Sequence, residues 1–174
     1  AFSKATRVSF VAALLLAFSM NADARTLTDD LFSFGNALDE LKVGMSVEEV
    51  ADLLGEGEIE ELPYDSGVTL TYTEGAYAGV HVSFVNIDGE IMLSSILFFD
   101  AFTMKTESGV GLGMQRDQVR EKIGKPLRHV DINTRKWETY YENGFIVHVE
   151  YNLEGTVTNL YKVDRSGVDF PDDE

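Results

Sequence analysis

Apolar residues recur along this chain with two different periods, and one stretch of helical period occurs twice. The first copy runs from Gly44 to Gly55 and the second from Gly113 to Gly124, with Gly, Met, Val and the closing Gly in register at an offset of 69 residues. Self-similarity of this kind speaks to the whole architecture. In the first copy Val47, Val50, Leu53 and Leu54 make one apolar stripe at helical spacing. Ser46 and Glu49 form a capping box ahead of it, hydroxyl to the N3 amide and carboxylate back to the cap amide. Gly55 supplies the left-handed residue that ends the helix. An earlier helix is predicted over 28–42, capped by Thr28 or Asp29, with Leu31, Phe34, Leu38 and Leu41 at helical spacing.

Between the two copies the period changes from 3.6 to 2. Val68 to Tyr72 and Val80 to Phe84 alternate apolar and polar residues, with Thr73 to Gly79 as the hairpin connection. Asn86 to Gly89 is a second turn, and a third strand runs from Ile91 to Phe99. Glu56 to Ser66 reads as an acidic, solvated loop, and 100–112 as a glycine-containing connector. After the second copy Trp137 to Tyr141 aligns with Val68 to Tyr72, and Val147 to Tyr151 with Val80 to Phe84. Glu142-Asn143-Gly144 forms the turn between them, and Thr156 to Asp164 gives the last strand. The expected fold is α+β: two tandem helix-helix-antiparallel-sheet repeats, 25–104 and 105–165, forming one continuous sheet with the helices on one face. One such unit is small for a stable core, which favours packing two side by side. The other face is expected to be open to solvent.

Charge narrows the choice of partner. The chain carries 30 acidic against 14 basic residues, a formal charge of −16. Such a field repels phosphate backbones and anionic membrane surfaces, so nucleic acid is not an expected partner; solubility is the first reading of the charge, and steering toward a basic protein the sharper one. The absence of cysteine rules out a disulfide scaffold, a thiolate metal site, a cysteine nucleophile and an acylated cysteine anchor. Residues 1–24 read as a signal peptide: Lys4 and Arg7 precede the apolar run Val8 to Met20, and Ala22-Asp23-Ala24 fits the small-x-small cleavage pattern. A periplasmic or secreted protein without a stable membrane anchor is the consequence. The tail 166–174 is acidic and expected to be disordered.

A Gly-Met-(x)4-Val-(x)3-(Leu/Ile)-Gly motif on a short capped helix, followed by a meander, resembles the SmpA/OmlA-like outer-membrane proteins. Two copies in tandem behind a signal peptide resemble the β-lactamase-inhibitor proteins, over about residues 41–164. The resemblance implies a non-enzymatic protein that binds another protein through its open sheet face. Those inhibitors plug an enzyme active site with an acidic hairpin loop, which corresponds here to Thr73 to Gly79 with Glu74 and Tyr77 at its tip. This chain departs from them in lacking cysteine and an Asp-Tyr-Tyr cluster, and from the single-unit outer-membrane lipoprotein in having two units.

His81 and His148 occupy equivalent positions, each between two valines, and strand alternation places both on the open face. Two imidazoles with Glu150 beside them invite comparison with a metal site, but a duplicated solvent-facing residue explains them as well, and no metal or cofactor is expected. Hydrolase, phosphate-loop and dinucleotide fingerprints are absent, so no catalytic residue is assigned and the chain is read as a non-enzyme. Tyr140 is expected on the same face as His148. The expected partner-binding set is therefore Glu74, Tyr77, His81, Tyr140 and His148. The partner is another protein, whether a secreted or periplasmic enzyme that the chain inhibits or an outer-membrane component. The second of these makes the chain an envelope-maintenance factor, the alternative role.

Overall fold

A computed structural model describes residues 31–132, 134–142 and 145–164. The expected signal peptide 1–24, the first residues of the 28–42 helix, Asn143 and Gly144 of the tight turn, and the tail 166–174 lie outside the described residues. Eight strands dominate the structure: β1 (Glu58–Glu61), β2 (Gly67–Tyr72), β3 (Val80–Ile87), β4 (Glu90–Phe99), β5 (Arg128–Ile132), β6 (Arg135–Glu142), β7 (Phe145–Tyr151) and β8 (Val157–Asp164). They form one sheet in the order β1-β2-β3-β4-β8-β7-β6-β5, antiparallel at every junction. The central seam pairs Ser95 to Phe99 of β4 with Asn159 to Val163 of β8. Two α helices occur among the described residues, α1 (Val47–Leu54) and α2 (Arg116–Ile123). Neither is long enough to cross a membrane.

The duplicated motif folds as its spacing dictates. Ser46 Oγ accepts the Glu49 amide at 3.2 Å, and the Ser46 amide donates to the Glu49 carboxylate at 2.8 Å. Gly55 and Gly124 end α1 and α2 at φ of 89° and 84°, a conformation that costs other residues about 1 kcal/mol or more.

The expected arrangement of two helix-helix-sheet repeats with helices on one face is not what forms. In place of a first helix over 31–42 there is a single 3-10 turn at Ala37–Glu40, capped by Asn36. The Asp39 carboxylate accepts the amides of Phe34 at 2.8 Å, Gly35 at 2.6 Å and Asn36 at 3.3 Å, folding the chain back on itself. A side chain that gathers successive amides competes directly with helical hydrogen bonds. The layer over the core is consequently mostly irregular: Phe32, Phe34, Phe102 and Val110 are buried there alongside two short helices. The acidic segment read as a loop contributes β1 instead. Its four residues are all exposed and pair with β2 along one side only, so no alternation betrays them.

One face of the sheet makes the core. Leu70, Val80, Val82, Phe84, Ile96, Phe98, Val147, Val149 and Leu160 meet Val50 and Leu54 of α1 and Val119 and Ile123 of α2. Phe34, Phe98 and Phe102 form a triangle of rings, with Phe34 5.0 Å from Phe98 and 5.3 Å from Phe102. Each such buried apolar side chain contributes about 1.5–3 kcal/mol. Gly67 allows an unusually close approach, since a Cβ there would lie 1.9 Å from the Phe84 carbonyl oxygen.

Candidate functional site

The face opposite the core is ordered in rows that run across the sheet, one of them through all eight strands. Following the register, Glu58, Thr71, His81, Leu97, Tyr161, His148, Thr139 and Arg128 stand opposite one another from edge to edge. Residues paired in register project to the same side. A second row places Phe99, Asn159, Glu150, Trp137 and Val130 beside it. Glu150 there accepts from Asn159 Nδ2 at 2.8 Å and from the Tyr161 hydroxyl at 3.3 Å.

Both histidines are braced in the same way. Thr71 Oγ1 lies 3.2 Å from His81 Nδ1, and Thr139 Oγ1 lies 3.1 Å from His148 Nδ1. Burial pushes the pKa of each below the ordinary imidazole value, with Glu60 partly offsetting the shift at His81. Burial thus favours the neutral form of both rings. His81 and His148 share this face, as the strand alternation predicts, but three strand spacings separate them, about 14 Å. They cannot ligate one ion together. Among the described residues no group of three or more His, Cys, Asp or Glu is placed to hold a metal.

Tyr140 must be reassigned. It is 3% exposed and lies on the core face, with its ring edge-on to Phe32 at 5.5 Å and its hydroxyl donating to Glu138 at 3.0 Å. The cause is a change of register: Thr139, not Tyr140, stands opposite His148. The offset of 69 between the two helix motifs becomes 68 between Thr71 and Thr139. A slip of one residue exchanges the two faces of a strand. Tyr77 is also folded inward. It is half-buried at the end of a 3-10 turn, Gly75–Tyr77, with its ring 6.2 Å from that of Tyr72. Glu74 remains exposed at the start of that turn.

Glu138 itself is fully buried beneath α2. One carboxylate oxygen accepts from Arg116 Nε at 2.8 Å and Arg120 Nε at 2.7 Å. The other accepts from the hydroxyls of Tyr140 at 3.0 Å and Tyr151 at 2.8 Å. Burial alone would raise its pKa, but these four donors outweigh it and hold the group below the usual carboxylate range. With both oxygens engaged, the cluster anchors α2 to β6, and Arg116 Nη2 is left buried within it without a hydrogen-bond partner among the described residues.

Two further features bear on function. Between Val43 and Met104 the chain has no Lys or Arg and twelve Asp or Glu, whereas residues 105–164 carry nine of each. The acidity thus belongs to α1 and β1–β4. A count of charge by halves would have found this in the sequence. Tyr64, in the loop between β1 and β2, is 100% exposed, and the reading of that segment as a solvated acidic loop passed over it.

No protein-family model matches the sequence, and no curated protein matches it. Solved structures do. An extracellular protein containing an SCP domain from Bacillus anthracis superposes with a TM-score of 0.51 at 11% identity, over 82% of this chain and 49% of that one. A DUF4309-family protein from Bacillus subtilis gives a TM-score of 0.48 at 15% identity, over 69% of this chain and 78% of that one. A cysteine-rich secretory protein from Staphylococcus aureus gives 0.45 at 10% identity, over 71% and 44%. The chain spans about half the length of the first and less of the third. At such identities the likeness concerns the fold alone. None of the three is described as a β-lactamase inhibitor or an SmpA/OmlA-like protein.

Proposed function

We propose that this chain is an exported, non-enzymatic protein-binding module that engages a basic partner through its β1–β4 half. The observation that carries the proposal is the segregation of charge: twelve carboxylates and no Lys or Arg from Val43 to Met104. Solubility alone asks only for net charge and gives no reason to confine it to one half. A one-sided field steers an oppositely charged partner and selects against others. The outer face of this half mixes Glu58, Thr71, His81, Leu97 and Phe99, the blend of apolar and polar groups found at non-obligate interfaces. Export is supported by the basic and apolar pattern of residues 1–24, and the Bacillus anthracis protein of similar fold is described as extracellular.

The test is recovery of binding proteins from envelope and culture fluid with the full chain. It is run at low and high salt, beside a Glu58→Gln/Glu60→Gln/Glu61→Gln variant. The proposal expects a basic protein that is held at low salt, weakened at high salt and weakened again by the variant. A partner insensitive to both changes would refute it. Inhibition of a recovered enzyme would specify the role further.

A further inference from the structure

The acidic half has one end at which apolar side chains stand in the open. Tyr64 is 100% exposed, Ile87 52% and Ile91 38%. The first belongs to the β1–β2 loop, and the other two flank the β3–β4 turn on opposite faces, since Ile87 pairs with Glu90 and Ile91 with Asn86. Asn86 joins these connections: its side-chain amide donates to the Asp65 carbonyl at 3.1 Å, and its Oδ1 accepts the Gly89 amide at 2.9 Å. Its backbone amide donates to Ser66 O at 2.9 Å. Gly67 then holds the loop against β3 in a space that no Cβ could share. Tyr64, Asp65 and Asp88 have φ of 62°, 52° and 55°, three of the four non-glycine positive values among the described residues. Residues kept in that region require surroundings that over-determine them. The backbone that carries this tyrosine is braced, so ordering the loop adds little to the cost of binding.

We infer that Tyr64, with Asp65 beside it and Asp88 and Glu90 on the neighbouring β3–β4 hairpin, forms an anchor that inserts into an apolar cleft rimmed by Lys or Arg on the partner protein. The inference rests on the protein-binding reading above and names its contact surface. Tyrosine is among the residues enriched at interface hot spots, and a border of carboxylates suits the polar rim of such a contact. A second copy of this chain is the wrong occupant, because a symmetric contact would press Asp65, Asp88 and Glu90 against their own equivalents. An anionic membrane surface is repelled for the same reason.

The experiment places the photo-crosslinking residue p-benzoylphenylalanine singly at positions 64, 71 and 127 of the full chain in the producing cell. Adducts are identified by mass, and the partner is then purified for affinity measurement. The inference expects a heterologous adduct from position 64. It also expects a Kd raised at least ~30-fold by Tyr64→Ala, with Tyr64→Phe within about threefold of the parent. Tyr64→Asn suits the left-handed backbone and should lose as much affinity as Tyr64→Ala, which separates lost contact from a misfolded loop. An adduct from position 71 alone, or an affinity unmoved by Tyr64→Ala, would overturn the anchor while leaving the protein-binding reading in place. Adducts from position 127 alone, between two copies of this chain, or from no position would overturn both.

Discussion

Thr139 stands directly opposite His148 across β6 and β7, its hydroxyl 3.1 Å from the imidazole Nδ1. Thr71 and His81 repeat the contact at 3.2 Å. Burial lowers the pKa of both rings. As pH falls the unfolded chain, near 6.5, takes up these protons before the folded one does. The stabilisation is therefore complete above about pH 6.5 and is lost as pH falls through each folded pKa. Less self-repulsion in acid acts the other way on so anionic a chain, so the difference between two proteins is the useful readout. From pH 7.5 to 5.5 the parent should lose melting temperature relative to a His81→Gln/His148→Gln variant. Parallel curves would show that the pairs do not titrate as their burial requires.

The Glu138 cluster makes a second prediction. The register aligns Glu138 with Leu70, and the helix motifs align Arg116 with Val47 and Arg120 with Ala51. Glu138→Ala leaves Arg116, 16% exposed, without its main counter-charge and should cost about 3–5 kcal/mol. Glu138→Leu combined with Arg116→Val and Arg120→Ala, made in a Tyr140→Phe/Tyr151→Phe background so that no buried hydroxyl loses its acceptor, copies the apolar version, and should be neutral or stabilising by about 1–4 kcal/mol. Urea denaturation checks both. If the triple variant proved as unstable as Glu138→Ala, the ionic cluster would be contributing more than a match of shape and charge. Loss of stability through Glu138 with falling pH belongs below 4.5, separate from the histidine window.

Close approach distinguishes one glycine from another. Gly67→Ala would force a Cβ to 1.9 Å from the Phe84 carbonyl oxygen, whereas Gly113, at φ 82°, has open space around the same position. Gly113→Ala should cost about 1–2 kcal/mol through its backbone alone. Gly67→Ala should cost clearly more or prevent folding. Equal losses in thermal melts would contradict the packing of the β1–β2 loop on β3.

What could be read in the sequence was local. Ser46, Glu49 and Gly55 encode a complete start and stop for α1, and all three behave as encoded. The 28–42 segment has the helical spacing as well, yet Asp39 satisfies the amides of Phe34, Gly35 and Asn36 from outside that pattern. Spacing cannot reveal such competition. β1 was hidden because an exposed edge strand of Glu58-Ile59-Glu60-Glu61 needs no apolar alternation. Tyr140 was assigned to the wrong face because the offset between related strands drifts by one residue, and period 2 makes one residue decisive. His81 and His148 escaped that error, since their valine neighbours define the core side on β3 and β7.

The central claim is that a basic partner docks on the acidic half of the sheet at its Tyr64 end. The most direct measurement is amide hydrogen exchange of the full chain, with and without the partner that its crosslinks identify. The account predicts new protection at 58–71 and 85–92, with little change across 125–142. Protection confined to 125–142 would contradict it.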